Sequence, residues 1–266
     1  MQLTLLSACC SLKQSNQSLR ADIPEMARLP KIMSPSNPLS PPVVLVHGAW
    51  VGPRCWDPVV HHLLQRGVRP HVVTLKGSGN RRDENGADVS LDDHIGDVVS
   101  LMSDSDLHNV TLVGHSYGGR VITGVTARIP DRIGHVVFID AHAPVADDSG
   151  PSKERREQAI ANSGMLPFSG FALDAELVGD DALYESLMHD IVDHPFGTLT
   201  ASWQHELSPK VKKTYVRALG ADAAPFEKYA AACRSDADWS YIELDGPHML
   251  QFTHPQELAT IITGGN

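Results

Sequence analysis

Cysteine, clustered positive charge and long apolar runs are all scarce in this chain of 266 residues. Its four cysteines, Cys9, Cys10, Cys55 and Cys233, show neither the paired C-x-x-C spacing of a zinc site nor the density of a disulfide scaffold. Such cysteine usage is typical of a reducing compartment. The longest apolar run falls far short of the roughly 18 residues that a membrane-spanning helix needs. The sequence therefore predicts no metal site, no disulfide framework and no membrane partner.

Acidic residues outnumber basic residues in the chain as a whole. There are 22 Lys and Arg residues against 32 Asp and Glu residues, which gives a formal net charge of −10, and no long run of Lys or Arg occurs. Nucleic acids and anionic membranes are bound through clustered positive charge. The charge balance therefore argues against both as partners and leaves small neutral ligands open.

The N-terminal segment differs in composition from the rest of the chain. Residues 1–41 are rich in Ser, Pro, Asn and Gln, a composition that does not support a packed core. We predict a mobile leader over residues 1–41 and one domain over residues 42–266. Residues 1–9 resemble a lipoprotein cleavage site but lack a basic segment and have too short an apolar core. A cytoplasmic location is therefore expected, with export as the alternative.

From Val43 onward, short apolar runs alternate with amphipathic segments of helix length. Nearly continuous apolar runs are typical of parallel strands that are covered on both faces. Ser90, with Asp93 three residues later, predicts a capping box at the start of one helix. Strands are predicted at 43–46, 71–75, 110–113, 135–139, 214–219 and 241–244. Helices are predicted at 56–65, 91–102, 118–128, 225–234 and 255–262.

The alternation is interrupted once, between Pro144 and Pro209. This stretch contains helical patterns at 153–162 and 180–191 but no convincing strand, and it is too long for an ordinary connection. Open α/β sheets bind ligands at the carboxyl ends of their strands. We therefore predict a helical lid over about residues 144–210 that covers this edge of the sheet.

The strongest chemical signal is the motif Gly-His-Ser-Tyr-Gly-Gly at residues 114–119. It is a G-x-S-x-G pattern between a predicted strand and a predicted helix, a context in which the glycines allow a sharp turn that exposes the serine Oγ. A phosphate-binding loop would need a Lys or a different glycine spacing. Ser116 is therefore predicted to be a nucleophile.

A serine hydroxyl needs a neighbouring base before it can attack. His248 follows the last predicted strand, and the loop at that point reaches the nucleophile in proteins of this chain order. His115 is expected to pack below the serine turn, whereas His189 and His194 are expected to be solvated. His248 is therefore the predicted base.

Two aspartates compete for the role of the acid that orients the imidazole. Asp222 follows the predicted strand 214–219, which is the usual position in hydrolases of this order. Asp140 ends the strand 135–139, from which a carboxylate can reach the same histidine. We favour Asp222 and keep Asp140 as the alternative.

Backbone N–H groups must also face the oxyanion that develops in acyl transfer. Tyr117 directly follows the predicted nucleophile, and Ala49 lies in the small-residue turn after the first predicted strand. The amides of Ala49 and Tyr117 are therefore predicted to form the oxyanion hole.

Three segments carry a resemblance to a known family, at residues 44–50, 114–119 and 246–249. The chain resembles the α/β-hydrolase superfamily over residues 43–263, and within it the branch of plant methylesterases, hydroxynitrile lyases and bacterial pyrethroid-type carboxylesterases. The resemblance implies the α/β-hydrolase fold, a mostly parallel sheet flanked by helices with a helical lid insertion. It also implies a nucleophile at Ser116, a base at His248 and oxyanion amides at Ala49 and Tyr117.

Two departures from the branch bear on the chemistry. The usual acid of the branch aligns with Ala221, one residue before Asp222, so Asp140, the position used by some dehalogenase-like relatives, stays open. Hydroxynitrile lyases of the branch carry Thr in place of Gly48 and Lys in place of Met249. Ester hydrolysis is therefore favoured over the lyase reaction.

These observations predict a cofactor-independent serine hydrolase that cleaves small carboxylic esters through an acyl-enzyme. Trp50 and Met249 at the mouth of the site, with Phe196 and Trp203 in the lid, are predicted to bind an apolar or aromatic substrate. The same side chains could instead pack the lid onto the sheet. A hydroxynitrile-lyase-like enzyme and a ligand receptor of the same fold are the alternative functions, and a homodimer is open.

Overall fold

The structure is a computed structural model that describes residues 40–145, 150–168, 173–203 and 205–265. At residues 221 and 222 it describes the backbone alone. The leader predicted for residues 1–41 lies almost wholly outside the described residues and stays a prediction.

Parallel strands form the centre of the fold, as the apolar runs predict. The strands in chain order are β1 Val43–Val46, β2 His71–Val72, β3 Val110–His115, β4 Ile133–Ile139, β5 Met165–Leu166, β6 His194–Pro195, β7 Lys212–Ala218 and β8 Trp239–Leu244. Six of them pair in the order β2-β1-β3-β4-β7-β8, and every pairing in this sheet is parallel. The edge strand β2 is shorter than predicted because the chain turns away after Val73, and Leu75 accepts a hydrogen bond from the Ser78 amide.

Helices follow most strands, and all five predicted helices are present. Ser90 Oγ accepts from the Asp93 amide at 3.1 Å while the Asp93 carboxylate accepts from the Ser90 amide at 2.9 Å, which confirms the predicted capping box. The helix predicted from Pro225 begins instead at Glu227, because a 3₁₀ turn over Ala221–Phe226 precedes it. The helices are α1 Asp57–Gln65, α2 Leu91–Asp104, α3 Gly118–Arg128, α4 Lys153–Ala161, α5 Ala175–Val178, α6 Asp181–Asp190, α7 Phe196–Thr200, α8 Glu227–Ser235, α9 Leu250–Thr253 and α10 Pro255–Ile262.

Two apolar layers cover the two faces of the sheet. Val44 and Val46 of β1 pack in the layer that includes α2, α3 and α8, whereas Val43 and Leu45 pack in the layer that includes α1 and α10. Successive strand residues point to opposite faces, so a strand buried on both sides is apolar at every position. Burying each of these side chains contributes about 1.5–3 kcal/mol.

A long segment separates two strands that are neighbours in the sheet. β4 pairs directly with β7, and residues 144–210 between them, here called the insertion, contain α4 to α7. The sequence predicts no strand in this segment, but β5 and β6 form a short antiparallel pair. Strands of two residues are too short to show a period of two, which is why this pair was missed.

Two kinds of feature are absent from the described ranges. No helix in them combines the length and the apolarity that crossing a bilayer requires. No group of three or more His, Cys, Asp or Glu side chains in them could hold a metal ion.

Candidate active site

The serine motif forms a strained turn between β3 and α3. Ser116 has a φ of +55°, a left-handed conformation that is costly for a non-glycine residue. Its amide donates to the Ile139 carbonyl at 3.2 Å. A Cβ at Gly114 would lie 2.7 Å from the carbonyl oxygen of Gly118, and one at Gly118 would lie 2.8 Å from that of Val46. The two glycines are therefore needed for close backbone approach, and the turn presents Ser116 at the carboxyl edge of the sheet.

His248 is held by a hydrogen bond to its backbone carbonyl and by two neighbouring rings. Its carbonyl accepts from His115 Nε2 at 3.1 Å. Its imidazole stacks on Phe226, with centroids 4.7 Å apart, and lies 4.5 Å from the His115 ring. The side chain is nearly buried, and Nδ1 donates to Asp140 Oδ2 at 2.6 Å. Because Nδ1 carries this hydrogen bond, Nε2 is the nitrogen left to accept a proton.

His115 packs beneath the turn, as expected from the sequence. Its ring is buried, and burial followed by the nearby charge of His248 keeps its pKa well below the usual histidine value. A neutral His115 donates through Nε2 to the His248 carbonyl, so it positions the loop that carries the predicted base.

Asp140 is the carboxylate that the structure brings to His248. It is fully buried at the end of β4, with a φ of +40°. Oδ2 accepts from His248, and Oδ1 accepts from Arg217 Nη1 at 2.7 Å. The backbone of Asp222 lies in the 3₁₀ turn over Ala221–Phe226, and its side chain lies outside the described residues. The geometry therefore supports Asp140, the alternative that the sequence analysis placed second.

Arg217 is a residue of this site that the sequence analysis missed. It lies in β7 and is only 5% exposed. Besides its bond to Asp140, it donates to the Ala223 carbonyl at 2.8 Å and to Glu227 Oε2 at 3.0 Å. Burial lowers the pKa of Arg217, but the hydrogen bonds to Asp140 and Glu227 outweigh burial, and the pKa is raised. The available signal was a charged residue between Val216 and Ala218, in the buried half of β7.

The two predicted oxyanion residues meet at one cavity with the serine. Ala49 follows β1 and Tyr117 stands at the N-terminus of α3, and both line the cavity beside Ser116. The Tyr117 hydroxyl is hydrogen-bonded to His94 Nδ1 at 2.8 Å, which fixes the side chain next to the nucleophile.

The cavity above the serine has a volume of about 390 Å³, within the size range of small-molecule sites. Three basic side chains and several apolar ones face it. Its described lining residues are Ala49, Trp50, Ser116, Tyr117, Arg120, His142, Gly150, Pro151, Ser152, Arg155, Leu199, Pro225, Phe226, Lys228, Tyr229 and His248.

Of the four predicted substrate contacts, the structure places only Trp50 among these lining residues. Met249 is fully buried in the layer of α1 and α10, because the chain enters α9 directly after His248. Trp203 packs in the apolar layer of α2, α3 and α8, with the Arg120 guanidinium 5.1 Å from its ring centroid. Phe196 is partly buried against the apolar layer of α2 and α3. For these three residues the packing role, left open from the sequence, is the one observed.

The insertion contacts Trp50, which follows Ala49, and Tyr117, which follows Ser116. Trp50 Nε1 donates to the Leu166 carbonyl at 2.8 Å, and the Trp50 carbonyl accepts from the Val192 amide at 3.1 Å. The ring of His194 lies 4.7 Å from that of Tyr117. His194 is 5% exposed, so the expectation that it is solvated is wrong: β6 carries it into the core, and burial keeps its pKa well below the usual value.

Known proteins resemble this chain over most of its length. The model of the Alpha/beta hydrolase family matches residues 43–261. A carbendazim hydrolyzing esterase of Nocardioides sp. (strain SG-4G) is 30% identical over 231 residues, covering 81% of this chain and 96% of that protein. Putative methylesterase 12, chloroplastic, of Arabidopsis thaliana is 27% identical over 243 residues, covering 82% of this chain and 70% of that protein.

Solved structures share the fold. An extracellular alpha/beta-hydrolase from a Paenibacillus species has a TM-score of 0.67 at 23% identity, covering 85% of this chain and 99% of that one. The pyrethroid hydrolase PytH has a TM-score of 0.60 at 19% identity, covering 84% of this chain and 96% of that one. The strand order, the serine turn and the family match lead to one conclusion: this chain belongs to the alpha/beta hydrolase family.

Proposed function

We propose that this protein is a cofactor-independent serine hydrolase of small carboxylic esters that works through an acyl-enzyme. The observation that carries the proposal is the juxtaposition of Ser116 and His248 on one cavity, with His248 held by Asp140. The relatives named above as esterases support the same reaction class.

In the proposed acylation step, Ser116 Oγ attacks the ester carbonyl and His248 Nε2 takes its proton. The hydrogen bond from Nδ1 to Asp140 selects the tautomer that can accept this proton, and the buried carboxylate stabilises the imidazolium that results. His248 then returns the proton to the departing alcohol. Water repeats the attack on the acyl-enzyme with the same base, which releases the acid.

The negative charge of the tetrahedral intermediate requires donors that are already in place. We assign this role to the backbone amides of Ala49 and Tyr117, assisted by the N-terminus of α3, where the helix dipole favours negative charge. Removing one such donor in a related chemistry costs about 10²–10³ in kcat.

The cavity supports a small substrate with an apolar or aromatic part. Trp50, Leu199, Phe226 and Tyr229 form much of its wall. We propose that the insertion serves as the lid, since Gly150 to Ser152 and Arg155 line the cavity from that segment.

A cytoplasmic location is proposed from the cysteines. Cys55 and Cys233 are buried free thiols, which suits a reducing compartment.

Labelling with a fluorophosphonate probe, together with turnover of a panel of p-nitrophenyl esters, tests the proposal. Wild-type protein should be labelled at Ser116 and should hydrolyse short esters, and Ser116→Ala should lose both properties. Ser240→Ala is the matched control, because Ser240 is an exposed residue of β8. Full ester hydrolysis by Ser116→Ala would disprove the assignment. Labelling of the wild type with negligible turnover of every ester would favour a ligand receptor.

A further inference from the structure

A continuous line of charged side chains leads from the surface to the proposed base. Glu227 Oε2 accepts from Arg217 Nη2 at 3.0 Å, Arg217 Nη1 donates to Asp140 Oδ1 at 2.7 Å, and Asp140 Oδ2 accepts from His248 at 2.6 Å. The side chains of Asp140 and Arg217 are 0% and 6% exposed, whereas that of Glu227 is 58% exposed. The line therefore starts in solvent and ends on a buried imidazole.

The middle of this line raises an electrostatic problem. A carboxylate stabilises a neighbouring imidazolium by its negative charge, and a guanidinium on its second oxygen opposes that effect. With Asp140 and Arg217 alone, the two formal charges cancel. Glu227 adds one negative charge, so the three groups together carry a formal net charge of −1.

The guanidinium also has a geometric role. Arg217 Nη1 donates both to Asp140 Oδ1 and to the Ala223 carbonyl at 2.8 Å, while Nε and Nη2 donate to Glu227. The planar fork of an arginine holds several acceptors in a fixed relation, which a lysine ammonium does not do. The carboxylate of Asp140 is thereby tied to the turn before α8 and presented with Oδ2 toward His248.

We infer that Arg217 is the positioning residue that orients Asp140 toward His248, and that Glu227 adjusts the basicity of His248 through Arg217. The inference rests on the proposed function, because it concerns the same base.

Other groups also face His248 and Asp140, and the test leaves all of them in place. His115 contacts the imidazole from β3 and stays neutral because burial keeps its pKa well below the usual value. Tyr215 lies in β7 near Asp140, and its hydroxyl is hydrogen-bonded to the backbone of Ala141. The other titratable or charged side chains that line the cavity with His248 are Tyr117, Arg120, His142, Arg155, Lys228 and Tyr229.

The experiment is the pH dependence of kcat/KM for a p-nitrophenyl ester in wild type, Glu227→Gln, Arg217→Lys and Arg217→Met. The acid limb is the low-pH side of this profile, where activity rises as the proposed base loses its proton. Glu227→Gln should lower the pKa of the acid limb by a few tenths of a pH unit, a small shift because Glu227 is more than half exposed. Arg217→Met should move that pKa up and lower kcat by on the order of 10- to 100-fold through misplacement of Asp140. Arg217→Lys keeps the positive charge, so its acid-limb pKa should equal that of the wild type. Its kcat should lie between those of Arg217→Met and the wild type, because a lysine cannot hold Asp140 as the arginine fork does.

Glu84→Gln is the matched control. Glu84 accepts from Arg81 Nε and Nη2 at 2.8 Å, and Arg81 Nη1 also donates to Asp97. The variant therefore removes a carboxylate from an equivalent ion-pair cluster outside the line to Asp140. Its pH profile should match that of the wild type, and melting temperatures of all variants report on folding.

Acid-limb pKa values equal to wild type in both Glu227→Gln and Arg217→Met would overturn the inference. If Arg217→Met does not fold, an unshifted pKa in Glu227→Gln together with full kcat in Arg217→Lys overturns it. These outcomes are distinct from failure of the proposed function, which would appear as ester hydrolysis that does not depend on Ser116.

Discussion

The imidazole of His248 lies parallel to the phenyl ring of Phe226, with centroids 4.7 Å apart and 7° between the ring planes. His115 contacts the same imidazole at 4.5 Å, and Asp140 holds its Nδ1. The orientation of the proposed base therefore depends on ring packing as well as on its carboxylate partner.

Phe226→Leu is expected to lower kcat by about 2- to 12-fold, because an aromatic pair contributes about 0.5–1.5 kcal/mol beyond the apolar area it buries. The measurement is steady-state hydrolysis of a p-nitrophenyl ester. Phe252→Leu is the control, since Phe252 packs against the layer of α1 and α10, away from His248. Equal kcat values in both variants would show that the stacking does not orient the imidazole.

Asp140→Asn is expected to reduce kcat by on the order of 10⁴, because the amide can donate to Nδ1 and select the wrong tautomer, as in the serine-protease precedent for this substitution. Asp222→Asn is expected to have a far smaller effect. Initial rates for both variants, normalised to the fraction that is folded, decide between the two aspartates. A severe loss in Asp222→Asn with an active Asp140→Asn would reverse the assignment.

Trp50→Phe is expected to loosen the insertion, because it removes the hydrogen bond from Nε1 to the Leu166 carbonyl, a contact that contributes about 1 kcal/mol. Limited proteolysis should cleave residues 144–210 faster than in the wild type, with cleavage sites mapped by mass spectrometry. Trp239→Phe makes the same change on β8 and should leave this rate unaltered. Identical cleavage rates in the wild type and both variants would mean that Trp50 does not restrain the insertion.

Buried neutral histidines should make the protein less stable in acid. Burial lowers the pKa of His47 to about 4, and burial with the Lys212 charge lowers the pKa of His135 to about 4. Unfolded histidine has a pKa of about 6.5, so between pH 6.5 and 4 the unfolded chain binds protons that the folded chain does not. The free energy of unfolding should therefore fall with decreasing pH, by about 2 kcal/mol per histidine at pH 5.

Urea denaturation at pH 7 and pH 5 measures this effect. His135→Gln can keep a hydrogen bond to Thr214, and it should lose less stability between the two pH values than the wild type. His61→Gln, at an exposed position of α1, should behave as the wild type does. Equal losses in His135→Gln and the wild type would contradict the predicted role of His135.

The sequence alone predicted the features that depend on short-range patterns. Continuous apolar runs predicted the parallel strands, and Ser90 with Asp93 predicted the start of α2, because a residue's neighbours determine both signals. The G-x-S-x-G motif also placed Ser116 between a strand and a helix, since Gly114 is required by the close approach of the Gly118 carbonyl within the same turn.

Contacts between side chains that are distant in the sequence could be identified only from the folded chain. Asp140 and Asp222 both follow a predicted strand, and strand order does not favour Asp140, because β7 lies between β4 and β8 in the sheet. The path of the loop after β8 places His248 Nδ1 against Asp140 Oδ2. Arg217 could not be assigned beforehand, because its partner lies 77 positions away in the chain. Met249 differs from its expected position for the same reason: the packing of α9 against the core, and not the residue's place beside His248, sets the direction of its side chain.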